Sequence, residues 1–411
     1  MAECPRPKPR GCSTICLPVG KDCYQQLIDA PGPFRCWLDQ SFHEHPELFP
    51  QAFAQGYTLK DDRVSVKRGL RLRRITCTAN GAAFTVRPSF VLPYMTAWAD
   101  DVSGPLFLRS FGVPFWALAQ VFGHDAMFWY RLEVGLGRHS IVGTTVRQVP
   151  VPEHLVADEH HQPRDGVKNY IATTVGAGCC LGAALAQTAG AEDLEAAYGV
   201  FKQEAQNVQA NYAPQTVNTD GWAATRLAWQ ALFPLVVLLR CFLHGWLSIR
   251  ERAKHLGELF RALGEKVWHA YHAPDRRTFA QRLRRLGEWA ARAVKGVGVL
   301  EQVQKLCGRA RKYGRAYAHA GGHRTSNMLD RVMRLMNRYF DDGQHLHGSA
   351  QACGQHCRAW ALLHNFRPWH PAVARANSGH QSPAERLNRH RYHDDWLQNL
   401  LVSGSLAGYR R

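Results

Sequence analysis

The sequence predicts an α/β protein: a mixed five-stranded sheet forms its core, an all-helical domain is inserted into that core, and a β-hairpin and a helical region come first. Three observations carry this. Between Glu153 and Cys241, runs of strand length alternate with segments of helical period, in the order three strands, helix, strand, helix, strand. From Gly245 to about Arg324 the period is helical throughout. Upstream, two alternating runs joined through Asn80-Gly81 give way to three short helical segments.

Residues 1–60 read as a Cys/Pro-rich arm with Cys4, Cys12, Cys16, Cys23 and Cys36, and with Phe42-His43-Glu44-His45. Two thiolates as close as Cys12 and Cys16 can grip one tetrahedral zinc ion. Their spacing is not a recognised zinc signature, and the competing reading is a loosely ordered basic arm whose cysteines are incidental. Residues 61–150 follow as a second unit. Arg71–Thr78 and Ala83–Arg87 flank Asn80-Gly81, a strong hairpin signal, giving a basic hairpin that either lies along DNA phosphates or is solvated. Helices are expected over Gly104–Phe111, Pro114–Phe122 and Asp125–Leu136, resembling a helix-turn-helix. In its last helix Trp129, Tyr130 and Arg131 are either the DNA-reading face or a core-facing stripe.

The core is expected in two parts, residues 151–245 and 325–368. Strands are placed at His154–Asp158, Lys168–Val175, Cys179–Ala186, Gln215–Thr219 and Leu235–Arg240, with helices at Glu192–Gln206 and Ala223–Leu232. That order is the one found in ribonuclease-H-like folds. Residues 246–324 form the helical insertion, and helices follow after Asp330 and over Gln351–Asn365. The tail, 369–411, is less regular, with Ser382 placed to cap a last short helix through Glu385.

Charge points to the partner. The 411 residues carry 51 Lys and Arg against 33 Asp and Glu, a net +18, a field suited to a polyanion such as nucleic acid. The insertion is the most lopsided part, with eighteen basic residues against six acidic ones. Arg276, Arg277, Arg284, Arg285, Arg311 and Lys312 are the expected phosphate contacts there; a solvated helix face is the alternative. Several classes are set aside. Met1 is followed by Glu3, Cys4 and a Pro/Lys/Arg mixture instead of an apolar run, so no secretory signal is expected. Leu232–Leu247 is interrupted by Arg240 and His244 and is too short to span a bilayer. Twelve cysteines, some inside apolar runs such as Cys179-Cys180, fit reduced thiols in a cytoplasm.

Three acids stand where metal-dependent phosphoryl transfer needs them. Cutting DNA requires an activated attacking oxygen, a stabilised leaving oxygen and a neutralised phosphate, which two divalent ions held by carboxylates provide. Asp158 lies on the first core strand, with Glu159 on the opposite face. Asp220 ends the fourth strand before Gly221-Trp222, where a turn aspartate is the plainer reading. Asp330 opens a helix after Thr325-Ser326-Asn327, where a surface ion pair is the usual fate of an acid. Cys241 and His244, three residues apart, share one side of a helix and are expected to pack and hydrogen-bond beneath the acids, or less often to bind zinc.

Asp158, Asp220-Gly221-Trp222, Cys241-x-x-His244 and Thr325-Ser326-Asn327-x-x-Asp330 together resemble the core of bacterial insertion-sequence DDE transposases, in the Mutator-like branch with a helical insertion after the fifth strand and a Cys/Asp-x-x-His signature. The similarity spans about residues 150–368. The resemblance implies a ribonuclease-H-like domain and two Mg²⁺ ions, with Mn²⁺ as a substitute, held by Asp158, Asp220 and Asp330. It also implies cleavage at element ends with strand transfer into target DNA, work on double-stranded DNA as a dimer or larger assembly, and a place in the bacterial cytoplasm at the nucleoid. The third acid of that family is usually glutamate, so Asp330 is a carbon short, and Glu385 is the nearest substitute. A catalytically inactive or domesticated DNA-binding derivative is the second reading.

Overall fold

A computed structural model describes residues 13–343 and 345–407. It is a mixed α/β protein with one four-stranded and one five-stranded sheet among many helices. Among the described residues no helix is long and apolar enough to cross a membrane.

The N-terminal stretch is folded, which corrects the expectation of a loose arm. Strand β1 (Thr14–Leu17) leads into α1 (Lys21–Asp29) and α2 (Pro31–Glu44), and then come β2 (Tyr57–Ser65), β3 (Leu70–Cys77) and β4 (Ala83–Pro88). The sheet order is β1-β4-β3-β2, with β1 parallel to β4 and the other pairs antiparallel. The Asn80-Gly81 hairpin forms as its sequence dictates, with Gly81 at φ +65 and Asn80 Oδ1 accepting from Ala82 N at 3.0 Å. Three of its arginines are paired with carboxylates. Arg73 Nε donates to Asp62 at 2.9 Å, Arg74 Nε to Asp61 at 2.6 Å, and Arg71 pairs with Asp29. Of the arm cysteines, Cys16 is buried in β1, Cys23 and Cys36 are exposed, and Cys4 and Cys12 lie outside the described residues.

Four helices follow: α3 (Ala99–Arg109), α4 (Phe115–Phe122), α5 (Ala126–Leu136) and α6 (Ile141–Thr145). Asp125 caps α5 by accepting from Phe128 N at 2.6 Å, and Pro114 sits at the cap of α4. The aromatic reading face is corrected here. Trp129 is 1% exposed, and its indole Nε1 donates to Gly123 O at 2.9 Å. Tyr130 is half-buried with its ring edge-on to Phe115 and His356, so of the three residues only Arg131 is exposed. Aromatic groups at helical spacing bury far more area in a core than a groove contact would require.

The five-stranded sheet comprises β5 (His154–Arg164), β6 (Val167–Gly176), β7 (Cys179–Ala186), β8 (Thr216–Thr219) and β9 (Val237–Arg240), with α7 (Ala191–Val208) before β8 and α8 (Ala223–Leu232) after it. Its order is β7-β6-β5-β8-β9; β7, β6 and β5 run antiparallel, while β5, β8 and β9 run parallel. Strand β5 continues past Asp158 because β6 pairs with it out to Arg164↔Val167. Alternation sorts the side chains: Leu155, Ala157 and Ala172 join the cluster beneath α7 and α8, while Val156, Ile171 and Val175 join the other face.

The insertion comprises α9 (Phe242–Ala253), α10 (Glu258–Tyr271), α11 (Arg276–Ala293), α12 (Val297–Gly308) and α13 (Ala310–Gly314) around its own core of Phe242, Leu263, Phe279, Leu283 and Val303. Beyond it, α14 (Asn327–Asp342) packs on β5 and β6, and α15 (Ala350–Phe366) packs on β7. Buried Asn365 pins α15 to β7, accepting from Cys180 N and donating to Cys180 O, both at 2.8 Å. The tail is more regular than its composition suggests. Helices α16 (Pro371–Ala376), α17 (Pro383–Asn388) and α18 (Trp396–Ser403) fold back, and Cys16 N donates to Ser405 Oγ at 3.1 Å. One hydrophobic cluster therefore runs from Ile15 through Trp129 and Leu329 to Val402.

Candidate functional site

Two of the acids are brought side by side by strand register. Strands β5 and β8 pair in parallel as Leu155↔Val217 and Val156↔Asn218, and two residues further along the same register lie Asp158 and Asp220. Neighbours across a parallel pair point to the same face. Burial, then the nearby Asp220 charge, then Glu159, push the Asp158 carboxyl up to about 7. Glu159 faces the other way, where it accepts from Tyr198 Oη at 2.7 Å and from Thr225 Oγ1 at 2.9 Å, bracing α7 and α8 against the sheet. Asp220 closes a tight turn: its Oδ1 accepts from Trp222 N at 2.6 Å, and Gly221 has φ +93. A methyl at Gly221 would come within 2.8 Å of the Arg240 guanidinium carbon, so glycine here lets Arg240 lie across the chain beside Asp220.

The third acid is linked to Cys241 through Ser326. Asp330, in the first turn of α14, accepts from Ser326 Oγ on both carboxylate oxygens, at 3.2 and 3.1 Å. Ser326 Oγ lies 3.3 Å from Cys241 Sγ, and Ser326 N donates to the same sulfur at 3.2 Å. His244 sits one turn into α9. Its closeness to the Cys241 thiol raises it most, burial opposes, and the Asp158 and Asp330 charges add, holding the imidazole up at about 9. Among the described residues, no hydrogen bond of ordinary geometry reaches its buried Nδ1. Burial pushes the Cys241 thiol up, yet His244 and Ser326 outweigh that and leave it below its ordinary value. Cys241 and His244 thus lie between Asp330 and the Asp158–Asp220 pair, with His244 within charge reach of Asp158 and Asp330.

The donor set suits a hard divalent cation only in part. Asp158 and Asp220 offer adjacent carboxylates whose mutual repulsion such an ion would relieve. Asp330 shares the one Ser326 hydroxyl proton between its two oxygens, which leaves lone pairs open on both. Among the described residues no three His, Cys, Asp or Glu side chains gather into a ready shell, at the acids or at the arm cysteines.

The insertion's basic residues lie where solvent reaches them: Arg276, Arg277, Arg284, Arg285, Arg311 and Lys312 are all exposed. Arg284 is partly spent on Glu288, 3.5 Å away. Lys312 also lines a cavity of about 410 Å³ with Arg226, Arg240 and Arg315. Arg226 and Arg240 do not belong to any motif in the sequence. The signal that could have found Arg240 is a single cation ending an apolar strand one strand over from Asp220. No protein-family model matches this chain, and no curated protein matches it.

Proposed function

We propose that the chain is a DNA transposase of an insertion sequence that cuts and joins DNA by divalent-metal phosphoryl transfer, its five-stranded sheet serving as a ribonuclease-H-like core. The observation that carries the proposal is the register of β5 on β8, which sets Asp158 and Asp220 on one face beside a positively charged cavity. The strand order, with three antiparallel strands followed by two parallel ones and a helical insertion after the fifth, supports the same reading.

Bound divalent ions would supply an activated water or 3′ hydroxyl and neutralise charge on the phosphate. Asp158 and Asp220 would hold them, with Asp330 as the third carboxylate. Until they bind, burial keeps Asp158 partly protonated at neutral pH. His244, held cationic beside Asp158 and Asp330, limits the net negative charge of the cluster. Exposed cations on the insertion would take up flanking phosphates.

The test is cleavage and joining of duplexes made from the two segments that flank the reading frame, with the purified full chain and magnesium. The expected result is activity in the wild type and none in Asp158→Ala or Asp220→Ala, with binding retained. Strand joining by Asp220→Ala overturns the proposal. A second reading, a DNA-binding derivative without chemistry, is favoured by the three carboxylates not gathering into one metal-sized group among the described residues. Binding with no cleavage by the wild type selects it.

A further inference from the structure

We propose that the groove between α8, β9 and α13 holds an unpaired DNA strand beside the acid cluster, its phosphates on Arg226, Arg240, Lys312 and Arg315 and its bases on an aliphatic floor. The assignment rests on the DNA-processing reading above.

The groove's lining has two parts. Four cations, Arg226, Arg240, Lys312 and Arg315, line it with no carboxylate among them. None of the four forms an ion pair among the described residues, in contrast to the hairpin arginines. Unpaired like charges gathered in one cavity repel one another, an arrangement that a polyanion turns into attraction. The remaining lining is largely the aliphatic run Val236–Leu239. A duplex turns its phosphates outward and keeps its base faces stacked inside, so it has nothing to lay on such a floor. An unpaired strand offers both: charge along the backbone and apolar base faces, for which the half-buried Val236, Val237 and Leu238 would take the place of the aromatic platforms of other single-strand grooves. Strand β9 is also the last of its sheet, so one edge of its backbone is not taken up by a further strand.

The groove reaches the turn that carries Asp220. Thr219 and Gly221, on either side of Asp220, line it, and Arg240 lies against Gly221. Arg240 also lines a second, smaller cavity of about 90 Å³ with His244, Lys305 and Arg309. A strand in the groove would therefore pass Asp220 under Arg240 with further cations ahead of it.

The test measures binding of a 20-nucleotide oligothymidylate and of a 20-base-pair duplex to the full chain by fluorescence anisotropy over a salt series. The variants are the doubles Arg226→Gln/Arg315→Gln and, as a control on α11, Arg284→Gln/Arg285→Gln. Two lost phosphate contacts should lower the single-strand salt slope by about 1.4, or roughly tenfold in affinity at 0.15 M salt. The expected result is that loss on the single strand for the groove pair, with less than a twofold change on the duplex and none on the single strand for the control pair. Equal loss on duplex and single strand overturns the assignment, as does an unchanged single-strand affinity. Cleavage is read separately: if the wild type never cuts but the binding pattern holds, the proposed activity falls and the groove stands.

Discussion

Replacing Glu133 by Gln tests whether the helices before the core are locked to it by one buried charge network. Glu133 on α5 is 0% exposed, and its Oε2 accepts from Arg109 Nε of α3 at 2.9 Å. Its Oε1 meets His356 Nε2 of α15 at 2.9 Å and the Tyr339 hydroxyl of α14. The Arg109 guanidinium is sandwiched between the Phe115 and Tyr339 rings, 4.3 Å from each centroid. Burial pushes the Glu133 carboxyl up, but the Arg109 and His356 charges and the bonds from His356 and Tyr339 bring it down from 4.5 to about 2. That depression is worth about 3 kcal/mol of stability at neutral pH, within the range for breaking a buried pair by removing one partner. An acid with a lowered pKa contributes fully above its unfolded value and loses the contribution as pH falls from 4.5 towards 2. The wild type should therefore lose about 1.4 kcal/mol of this contribution by pH 3.5, a loss that Glu133→Gln cannot show. Urea denaturation of both proteins at pH 7 and pH 3.5 measures it. The expected gap is about 3 kcal/mol at pH 7, narrowing at pH 3.5. A variant as stable as the wild type at pH 7, or a gap that ignores pH, refutes the reasoning. The double variant Arg109→Met/Glu133→Leu should recover much of the loss, because neither charge is then buried alone.

Asp158 titrates with the opposite sign. Its pKa is raised to about 7, so the folded protein binds a proton that the unfolded chain releases, and stability falls as pH climbs from about 4 to 7. Asp158→Asn should match the wild type near pH 4 and exceed it above pH 7 by as much as about 4 kcal/mol in metal-free buffer, read from melting curves; a variant that is less stable at pH 8 contradicts the assigned burial and repulsion. Gly137 follows α5 where α15 crosses: a methyl there would overlap the Gln355 carbonyl and lie 2.9 Å from Ala359 N. Gly137→Ala should cost about 3 kcal/mol or more on the same denaturation assay, and an unchanged midpoint would show that the two helices are not in this contact.

Local patterns were legible wherever a segment's own period decides its state. Strand β7 and helix α8 begin and end where their residues indicate, Asn80-Gly81 makes its turn, and Ser382 caps the helix that it precedes. Reading failed where the deciding partner is far along the chain. Strand β1 hides in a cysteine- and proline-rich stretch because what makes it a strand is β4, some seventy residues on. The tail passes for irregular until Trp396, Leu397 and Leu400 are seen filling the core against which the N-terminal sheet also packs. Trp129 carries the same helical spacing whether it faces a groove or a core, and only its neighbours decide.

The same division runs through the candidate site. The residue types and their order along the chain, an acid on the first and fourth strands of the core and a Cys-x-x-His after the fifth, were set by the sequence alone. That Asp158 stands beside Asp220 rather than a residue away was decided by the pairing of β5 with β8, since a slip of one position would turn a carboxylate to the opposite face. That Ser326 links Asp330 to Cys241, and that Arg240 lies over Gly221 at the mouth of a cationic groove, depended on which distant elements the folded chain brings together. Backbone period is a local free energy and shows in a short window. Charge proximity is a distance between elements, set only when apolar faces far apart in sequence find one another and leave the water.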